Sequence, residues 1–134
     1  MQRTLVLIKP DAVRRGLVGE VLSRFEAKGL TIVAMRQRTI DGELADRHYA
    51  EHLAKEFYPP LRDFVCSGPL VALVLEGDQA VDVVRELNGA TDGRKAVPGT
   101  IRSDLSLSNR ENLVHGSDSP ESAEREIGIW FPEG

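Results

Sequence analysis

Leu70-Val71-Ala72-Leu73-Val74-Leu75 is an almost unbroken apolar run that begins directly after Gly68-Pro69. A short apolar run bounded by turn residues is typical of a strand buried in the centre of a sheet. Thr4 to Ile8 forms a second such run, and Lys9-Pro10 closes it because proline removes a backbone donor and keeps the preceding residue extended. The two runs therefore predict two buried strands.

The segments around these strands have the periods of further helices and of another strand. Apolar residues recur at helical spacing from Leu17 to Phe25, and the alternation from Leu30 toward Thr39 predicts a strand. This order of elements indicates α/β layering, but spacing alone leaves open a parallel sheet or an antiparallel, ferredoxin-like one. The other predicted helices span Leu44 to Leu53, Pro59 to the residues before Gly68, and Val81 to Leu87, the last with Asp78 as its cap and Asn88-Gly89 as its end.

From Gly89 to Asn112 the periodicity disappears. A loop of this length inside a compact domain is uncommon unless it binds or catalyses, so we expect it to be functional. Structure resumes at Leu113-Val114-His115, and Asp118-Ser119-Pro120-Glu121 predicts the start of a last helix. We expect the apolar residues at the end of that helix, Ile127, Trp130 and Phe131, to be buried within the chain or against another subunit.

The composition predicts one globular domain over residues 1–134. The chain has 134 residues and a formal net charge of -4, which is the wrong sign for a protein that clamps nucleic acid over its whole surface. Cys66 is the single cysteine, which favours a reducing compartment, and no apolar stretch approaches the length of a membrane span. We therefore expect a cytoplasmic protein that binds neither a membrane nor a specific nucleic acid.

Known signatures for phosphate and metal binding are missing from the sequence. There is no P-loop, no G-x-G-x-x-G and no G-x-S-x-G, and His48 with His52 lacks the H-E-x-x-H pattern of a zinc site. His115 is the best candidate for chemistry, since it ends an apolar run and precedes the small, polar Gly116-Ser117. A neutral imidazole can act as a nucleophile without an added base, provided that an acceptor fixes its second nitrogen. Glu126, on the following helix, is the candidate acceptor.

Asn112-Leu113-Val114-His115-Gly116-Ser117-Asp118-Ser119 resembles the active-site signature of the nucleoside diphosphate kinases, and the resemblance extends over nearly the whole chain. It implies an α+β sandwich with a ferredoxin-like βαββαβ order, a four-stranded antiparallel sheet, extra helices and a long loop at about 89–112. The further matching segments are Thr4 to Asp11, Ser67-Gly68-Pro69, Pro98-Gly99-Thr100-Ile101-Arg102 and Glu121 to Ile127.

The resemblance also implies an activity: ping-pong transfer of the γ-phosphoryl group of ATP or another triphosphate to nucleoside diphosphates, which maintains GTP, CTP, UTP and dNTP pools. Its catalytic residues are His115, which forms a pros-phosphohistidine, Glu126, which orients it, Lys9 and Tyr49. Its nucleotide-binding residues are Lys9, Phe57, Arg85, Thr91, Arg102 and Asn112, with His52, Leu61 and Gly116 nearby. Phe57 matches the base platform, Arg85, Thr91 and Arg102 match the phosphate clamp, and Lys9 and Asn112 match residues that contact the phosphates and the ribose 3′-hydroxyl region.

The resemblance further implies Mg²⁺ held mainly by the nucleotide phosphates, without protein side-chain ligands, and a homo-oligomer, with a hexamer favoured and a tetramer as the alternative. The sequence departs from the family pattern at Asn109, where an apolar contact to the base is more usual, and in the loop 92–97, which lacks a proline. Two other readings stay open at this point: a phosphohistidine carrier and a nucleic-acid-binding module. We interpret Arg94, Lys95 and Arg110 as solvated charges.

Overall fold

The computed structural model describes residues 1–133 as four strands, seven α-helices and one short 3₁₀ turn. Strands and helices alternate along the chain, so that each inner strand leads into helical structure. The strands are β1 (Gln2–Ile8), β2 (Thr31–Arg38), β3 (Leu70–Gly77) and β4 (Val114–Gly116). The helices are α1 (Pro10–Arg14), α2 (Val18–Lys28), α3 (Gly42–His48), α4 (Tyr58–Val65), α5 (Ala80–Asn88), α6 (Ile101–Leu105) and α7 (Pro120–Trp130), and the 3₁₀ turn covers Ala50–His52.

The strands form one antiparallel sheet in the order β2-β3-β1-β4. In the centre, β1 lies against β3 from Gln2 opposite Gly77 to Ile8 opposite Val71. The short strand β4 pairs with the other side of β1, where His115 lies opposite Leu7. This order is that of the ferredoxin-like arrangement, so the predicted fold is confirmed and the parallel alternative is wrong.

Both faces of the sheet are covered by helices. One face carries a core of Val6, Ile8, Leu73 and Leu75 against apolar side chains of α2 and α5. The opposite face packs on α3, α4 and α7. Strands with two buried faces need apolar residues at every position. This explains why β1 and β3 are continuous apolar runs rather than alternating patterns.

Local capping explains where several helices begin and end. Gly29 ends α2 in a left-handed conformation with φ of 105°, and the Ser119 side chain caps α7 by accepting from the backbone N–H of Ser122. The prediction that Asp78 caps α5 is wrong. Gln79 occupies the cap position without a side-chain bond, and the distant Gln2 Oε1 accepts from Val81 N–H at 2.9 Å instead.

Other differences follow from weak local signals. The helix expected from Leu44 to Leu53 is α3 followed by the separate 3₁₀ turn, and the five-residue helices α1 and α6 are too short for a period to show. The segment 89–112 is therefore a loop interrupted by α6. Trp130 and Phe131 are buried inside this chain, in the core between α7 and the sheet, so another subunit is not needed to cover them. Within the described residues, no helix is long and apolar enough to cross a membrane.

Candidate active site

A cavity of about 800 Å³ opens between the α3–α4 segment, the end of α5, the long loop and the sheet edge at β4. We call the part lined by Phe57 and Leu61 its apolar end, and the part lined by Lys9, Arg85 and Arg102 its cationic end. Every residue to which the resemblance assigns a role lines this cavity: Lys9, Tyr49, His52, Phe57, Leu61, Arg85, Thr91, Arg102, Asn112, His115, Gly116 and Glu126.

His115 lies in the middle of β4, at the edge of the sheet, and one-fifth of its side chain is exposed. The strand approaches α5 closely at the next residue. A Cβ atom on Gly116 would lie 2.8 Å from Val84 Cγ1 and 3.1 Å from Asn88 Nδ2, which is too close for any other residue without movement. Gly116 therefore allows the close contact between β4 and α5 that holds His115 at the cavity.

The carboxylate of Glu126 holds the His115 ring from the first helix beyond the strand. His115 Nε2–H donates to Glu126 Oε1 at 2.9 Å, and Ser117 Oγ donates to the same oxygen at 2.7 Å. Since Glu126 is buried, these bonds fix both the ring orientation and the tautomer. The lone pair of a neutral His115 is then on Nδ1, the pros nitrogen.

His48 is a buried neighbour of the nucleophile that the sequence interpretation considered only for zinc. Its ring packs edge-on against His115 with 4.7 Å between centroids, and Trp130 Nε1–H donates to its Nδ1 at 3.0 Å. Burial, together with the nearby His115 ring and the Arg125 guanidinium, holds the pKa of His48 well below its usual range, so the ring is neutral. The bond from Trp130 leaves the proton of this neutral ring on Nε2.

His48, His115 and Glu126 also form the one group in the described chain whose donor atoms could hold a metal, all within 4.8 Å of one another. The pairing of His48 with His52 that the sequence suggested is not part of it. Two nitrogen donors do not suit Mg²⁺, which prefers oxygen ligands, and Glu126 already accepts two hydrogen bonds. The group is therefore better explained as support for the His115 ring.

Lys9 brings a buried positive charge to the cavity from the end of β1. Its Nζ donates to Asn112 Oδ1 at 2.9 Å. Burial, and then the positive charge of Arg102, lowers the pKa of Lys9 to about 8. Tyr49 lies on the same cavity with a buried hydroxyl that has no partner among residues 1–133, and burial raises its pKa above the usual range. Both groups can therefore donate to an anion that enters.

Arg102 joins three separate segments around the cationic end. Its guanidinium donates to the carbonyls of Gly89, Val114 and Asn112 at 2.8, 2.6 and 3.2 Å. Burial and the nearby Arg85 lower the pKa of Arg102 to about 10, which still leaves it charged at neutral pH. A guanidinium has five N–H donors, so two remain for a ligand.

The apolar end of the cavity is formed by Phe57 and its neighbours. Half of the Phe57 side chain is exposed, and the His52 ring lies 5.4 Å from it. The α3–α4 segment that carries them is held by Asp46, whose Oδ1 accepts from Tyr58 Oη at 2.6 Å and from Arg62 Nε at 2.9 Å. An exposed aromatic face on a braced segment is suited to stacking.

The long loop forms the remaining wall. Asn112 Nδ2 donates to the carbonyls of Thr91 and Asn109, so the side chain that binds Lys9 also ties the two ends of the loop together. Asn109 lines the cavity as expected from its position, and Arg110, interpreted as a solvated charge, is exposed and also borders the cavity. Arg94 is instead paired with Asp92 at 2.8 Å on the surface.

Comparisons with known proteins agree with this geometry. The family model described as nucleoside diphosphate kinase matches residues 2–134. A nucleoside diphosphate kinase from a Nocardioides species is 85% identical over 130 residues, which cover 97% of this chain and 96% of the relative. The nucleoside diphosphate kinase of Cutibacterium acnes is 59% identical over 98% of this chain and 95% of its own length.

Solved structures give the same result. The apo nucleoside diphosphate kinase of Encephalitozoon cuniculi superposes with a TM-score of 0.96 at 38% identity, over 98% of this chain and 89% of the other. That of Halobacterium salinarum, solved in complex with CDP, has a TM-score of 0.95 at 48% identity, over 97% and 87%. The resemblance predicted from the sequence is thus confirmed, and the chain belongs to the nucleoside diphosphate kinase family of phosphotransferases.

Proposed function

We propose that the chain transfers the γ-phosphoryl group of ATP, or of another nucleoside triphosphate, to nucleoside diphosphates through a phosphohistidine at His115. The observation that carries this proposal is the pair formed by His115 Nε2 and Glu126 Oε1, which leaves Nδ1 as the nucleophilic atom in a cavity lined with cations. An imidazole held in one tautomer needs no further base. Supplying the non-adenine triphosphates to the cell follows from this activity.

In the first half-reaction, the Nδ1 lone pair forms a bond to the γ-phosphorus while the bond between that phosphorus and the oxygen bridging it to the β-phosphate breaks. The diphosphate leaves with the electron pair. Glu126 stabilises the positive charge that develops on the His115 ring, because its carboxylate accepts from Nε2–H. In the second half-reaction, a terminal oxygen of another diphosphate attacks the phosphorus and the P–N bond breaks, which restores neutral His115.

The cationic end of the cavity would bind the phosphates. In the transition state, negative charge accumulates on the phosphoryl oxygens, and donors in the cavity can surround them. These donors are Lys9 Nζ, the free N–H groups of Arg102, exposed Arg85 and the Thr91 hydroxyl. The Tyr49 hydroxyl, buried and without a partner in the described chain, would donate from the helical side. Asn112 would bind indirectly, by orienting Lys9, and from its place in the cavity would also reach the ribose.

The apolar end would bind the base. Phe57 offers an exposed ring, with His52 and Leu61 beside it, and every base has a face that can stack on an aromatic ring. Stacking of this kind is worth about 1–3 kcal/mol per base and does not depend on base identity. The Halobacterium salinarum enzyme was solved in complex with CDP, so this relative binds a pyrimidine nucleotide. Nucleoside triphosphates and diphosphates are therefore the proposed partners.

Mg²⁺ is the proposed cofactor. When bound, the ion would neutralise charge on the phosphates. We expect the ion to be held mainly by the nucleotide, because Mg²⁺ prefers hard oxygen ligands such as those of substrate phosphates. The carboxylates of Asp118 and Glu51 line the cavity and could reach an ion bound to the phosphates.

We further propose a homo-oligomer, with the hexamer ahead of the tetramer, acting as a single domain in the cytoplasm. Exposed apolar side chains support self-association: Val33 and Met35 on the edge strand β2, and Val97 and Leu107, exposed by 71% and 84%, on the long loop. Sedimentation equilibrium tests this proposal, and a species of six times the 14.8 kDa chain mass is expected. A monomer at micromolar concentration would contradict it.

Incubation with γ-³²P-labelled ATP and Mg²⁺, without an acceptor, tests the mechanism. We expect an acid-labile label on His115 that GDP or CDP removes, and no label on the His115→Ala variant. Arg94→Ala is the control, because Arg94 lies outside the cavity in its surface pair with Asp92, and it should keep the label. An acid-stable seryl label, or a label that no diphosphate removes, would overturn the proposal.

A further inference from the structure

Asp11 is a buried carboxylate that the proposed mechanism leaves without a task. It lies in the first turn of α1 with a relative exposure of 4%. Its Oδ2 accepts from the backbone N–H of Leu113 at 3.1 Å, and its Oδ1 is buried without a partner in the described chain. Burying a carboxylate with one unsatisfied oxygen is costly, so the arrangement calls for a compensating role.

The residue that Asp11 holds, Leu113, has an unusual backbone. Its φ of 73° lies in the left-handed region that branched, bulky side chains rarely adopt, and its side chain is fully buried. Two long-range bonds hold this conformation. The side chain of Asp11 accepts from the backbone N–H of Leu113, and the backbone N–H of Lys9 donates to the Leu113 carbonyl at 2.8 Å.

The turn at Leu113 determines the positions of Asn112, which precedes it, and of His115, which follows it. Val114 N–H donates to the Asn112 carbonyl at 2.8 Å, so the chain reverses tightly between the two residues. On one side of the turn, the Asn112 side chain reaches Lys9 Nζ. On the other side, β4 begins and carries His115. A shift of the turn would therefore move the partner of the lysine and the nucleophile together.

Asp11 also balances the charge around Lys9. Two charged groups act on the ammonium, Arg102 from α6 and Asp11 from α1, and Asp11 is the negative one. Burial and Arg102 lower the pKa of Lys9, whereas Asp11 opposes them. Burial in turn raises the pKa of Asp11, and Lys9 opposes that shift. The two groups thus help each other to stay ionised.

We propose that Asp11 is a positioning residue, which holds Leu113 in its left-handed turn so that Asn112 meets Lys9, and which keeps the Lys9 ammonium charged for phosphate binding. The proposal rests on the role of Lys9 given under the proposed function. Asp11 touches no substrate in this scheme and acts through Lys9 and the turn.

Two variants separate the two parts of this role. Asp11→Asn keeps an acceptor for Leu113 N–H but removes the charge, whereas Asp11→Ala removes both. The pKa of Lys9 can be followed directly by NMR of ¹³C-labelled lysine side chains, with the resonance assigned through Lys9→Arg. We expect the wild-type resonance to titrate near pH 8 and that of Asp11→Asn at lower pH, because an anion that favours the ammonium is gone.

The pH dependence of kcat/KM should match the titration of Lys9. Below the pKa of Lys9 the ammonium is present, and above it the charge is lost, so kcat/KM for the diphosphate should fall as pH rises through about 8. In Asp11→Asn this fall should begin at lower pH. In Asp11→Ala, KM should rise about tenfold or more already at pH 7, the order expected for a lost hydrogen bond to a charged group, with a smaller effect on kcat.

Asp46→Asn is the matched control, since that carboxylate is also a hydrogen-bond acceptor but lies in the α3–α4 segment, away from Lys9. It should leave the Lys9 titration unchanged. An unchanged titration in Asp11→Asn would overturn the charge role, and wild-type kinetics in Asp11→Ala would overturn the positioning role. If Asp11→Ala does not fold, Asp11→Asn still decides the charge role. The proposed function fails by a different result: the wild-type protein would then take no phosphoryl label on His115.

Discussion

Replacing Glu126 tests how much the oriented imidazole contributes to transfer. In Glu126→Gln the His115 N–H can still find a carbonyl oxygen, but the bond is no longer assisted by charge. A hydrogen bond to a charged group contributes about 1.5–3 kcal/mol and a neutral one about 0.5–1.5 kcal/mol, so the loss is about 1–1.5 kcal/mol. If the transition state depends on this bond, kcat should fall about tenfold. In Glu126→Ala the whole bond is lost, and kcat should fall about 10- to 150-fold.

A coupled assay of ADP formation, with saturating ATP and an acceptor diphosphate, measures these effects. Glu124→Gln provides the matched control, because Glu124 is exposed on the same helix. We expect it to turn over like the wild type. Nucleotide affinity should change little in the Glu126 variants, since the carboxylate faces the His115 ring rather than the phosphates. Wild-type kcat in Glu126→Ala, in a folded protein, would refute the orienting role.

Two further predictions concern packing around the site. Gly116→Ala should lower Tm and kcat, because its new methyl group would overpack β4 against α5 at a cost of about 1–3 kcal/mol. Gly128→Ala should not lower Tm in the same thermal melt, because Gly128 is exposed on the outer side of α7 and its new methyl group would meet no atom within 4 Å. Arg102→Lys should raise nucleotide KM and lower Tm, since one ammonium cannot serve three carbonyls and each buried carbonyl left unpaired costs about 1–3 kcal/mol. Arg94→Lys on the surface is its control, and equal melting of the two variants would argue against this bracing role.

The sheet could be predicted from the sequence because its inner strands are continuous apolar runs, and α2 because its apolar spacing runs to a glycine that ends it. The strand order could not be obtained from spacing. It depends on which edges meet in three dimensions, and the family resemblance supplied it. The cap of α5 was missed for a similar reason, since the side chain that satisfies its N-terminus comes from Gln2, far away in the sequence.

The nucleophile and its partner could be predicted because His115 and Glu126 lie in a recognisable block and on the helix that follows it. Asp11 and His48 could not be assigned a role in this way. The contribution of Asp11 depends on the backbone of a residue 102 positions away, and that of His48 depends on a bond from Trp130, 82 positions away. Sequence patterns report local periods and motifs, whereas these roles arise from long-range contacts.

Burial of both faces of β1 and β3 has a consequence for register. A slip of one residue normally turns apolar side chains toward water and is penalised for that reason. Here either face accepts apolar side chains, so hydrophobicity discriminates weakly between registers. The register must therefore be selected by polar groups at the strand ends. In the observed register, Arg3 lies opposite Glu76 and donates to its carboxylate at 2.8 Å. A slip would displace Lys9 by about 3.3 Å. The position of Lys9 at the phosphate site therefore depends in part on an exposed ion pair at the far end of the strand. This ion pair selects the strand register rather than adding stability.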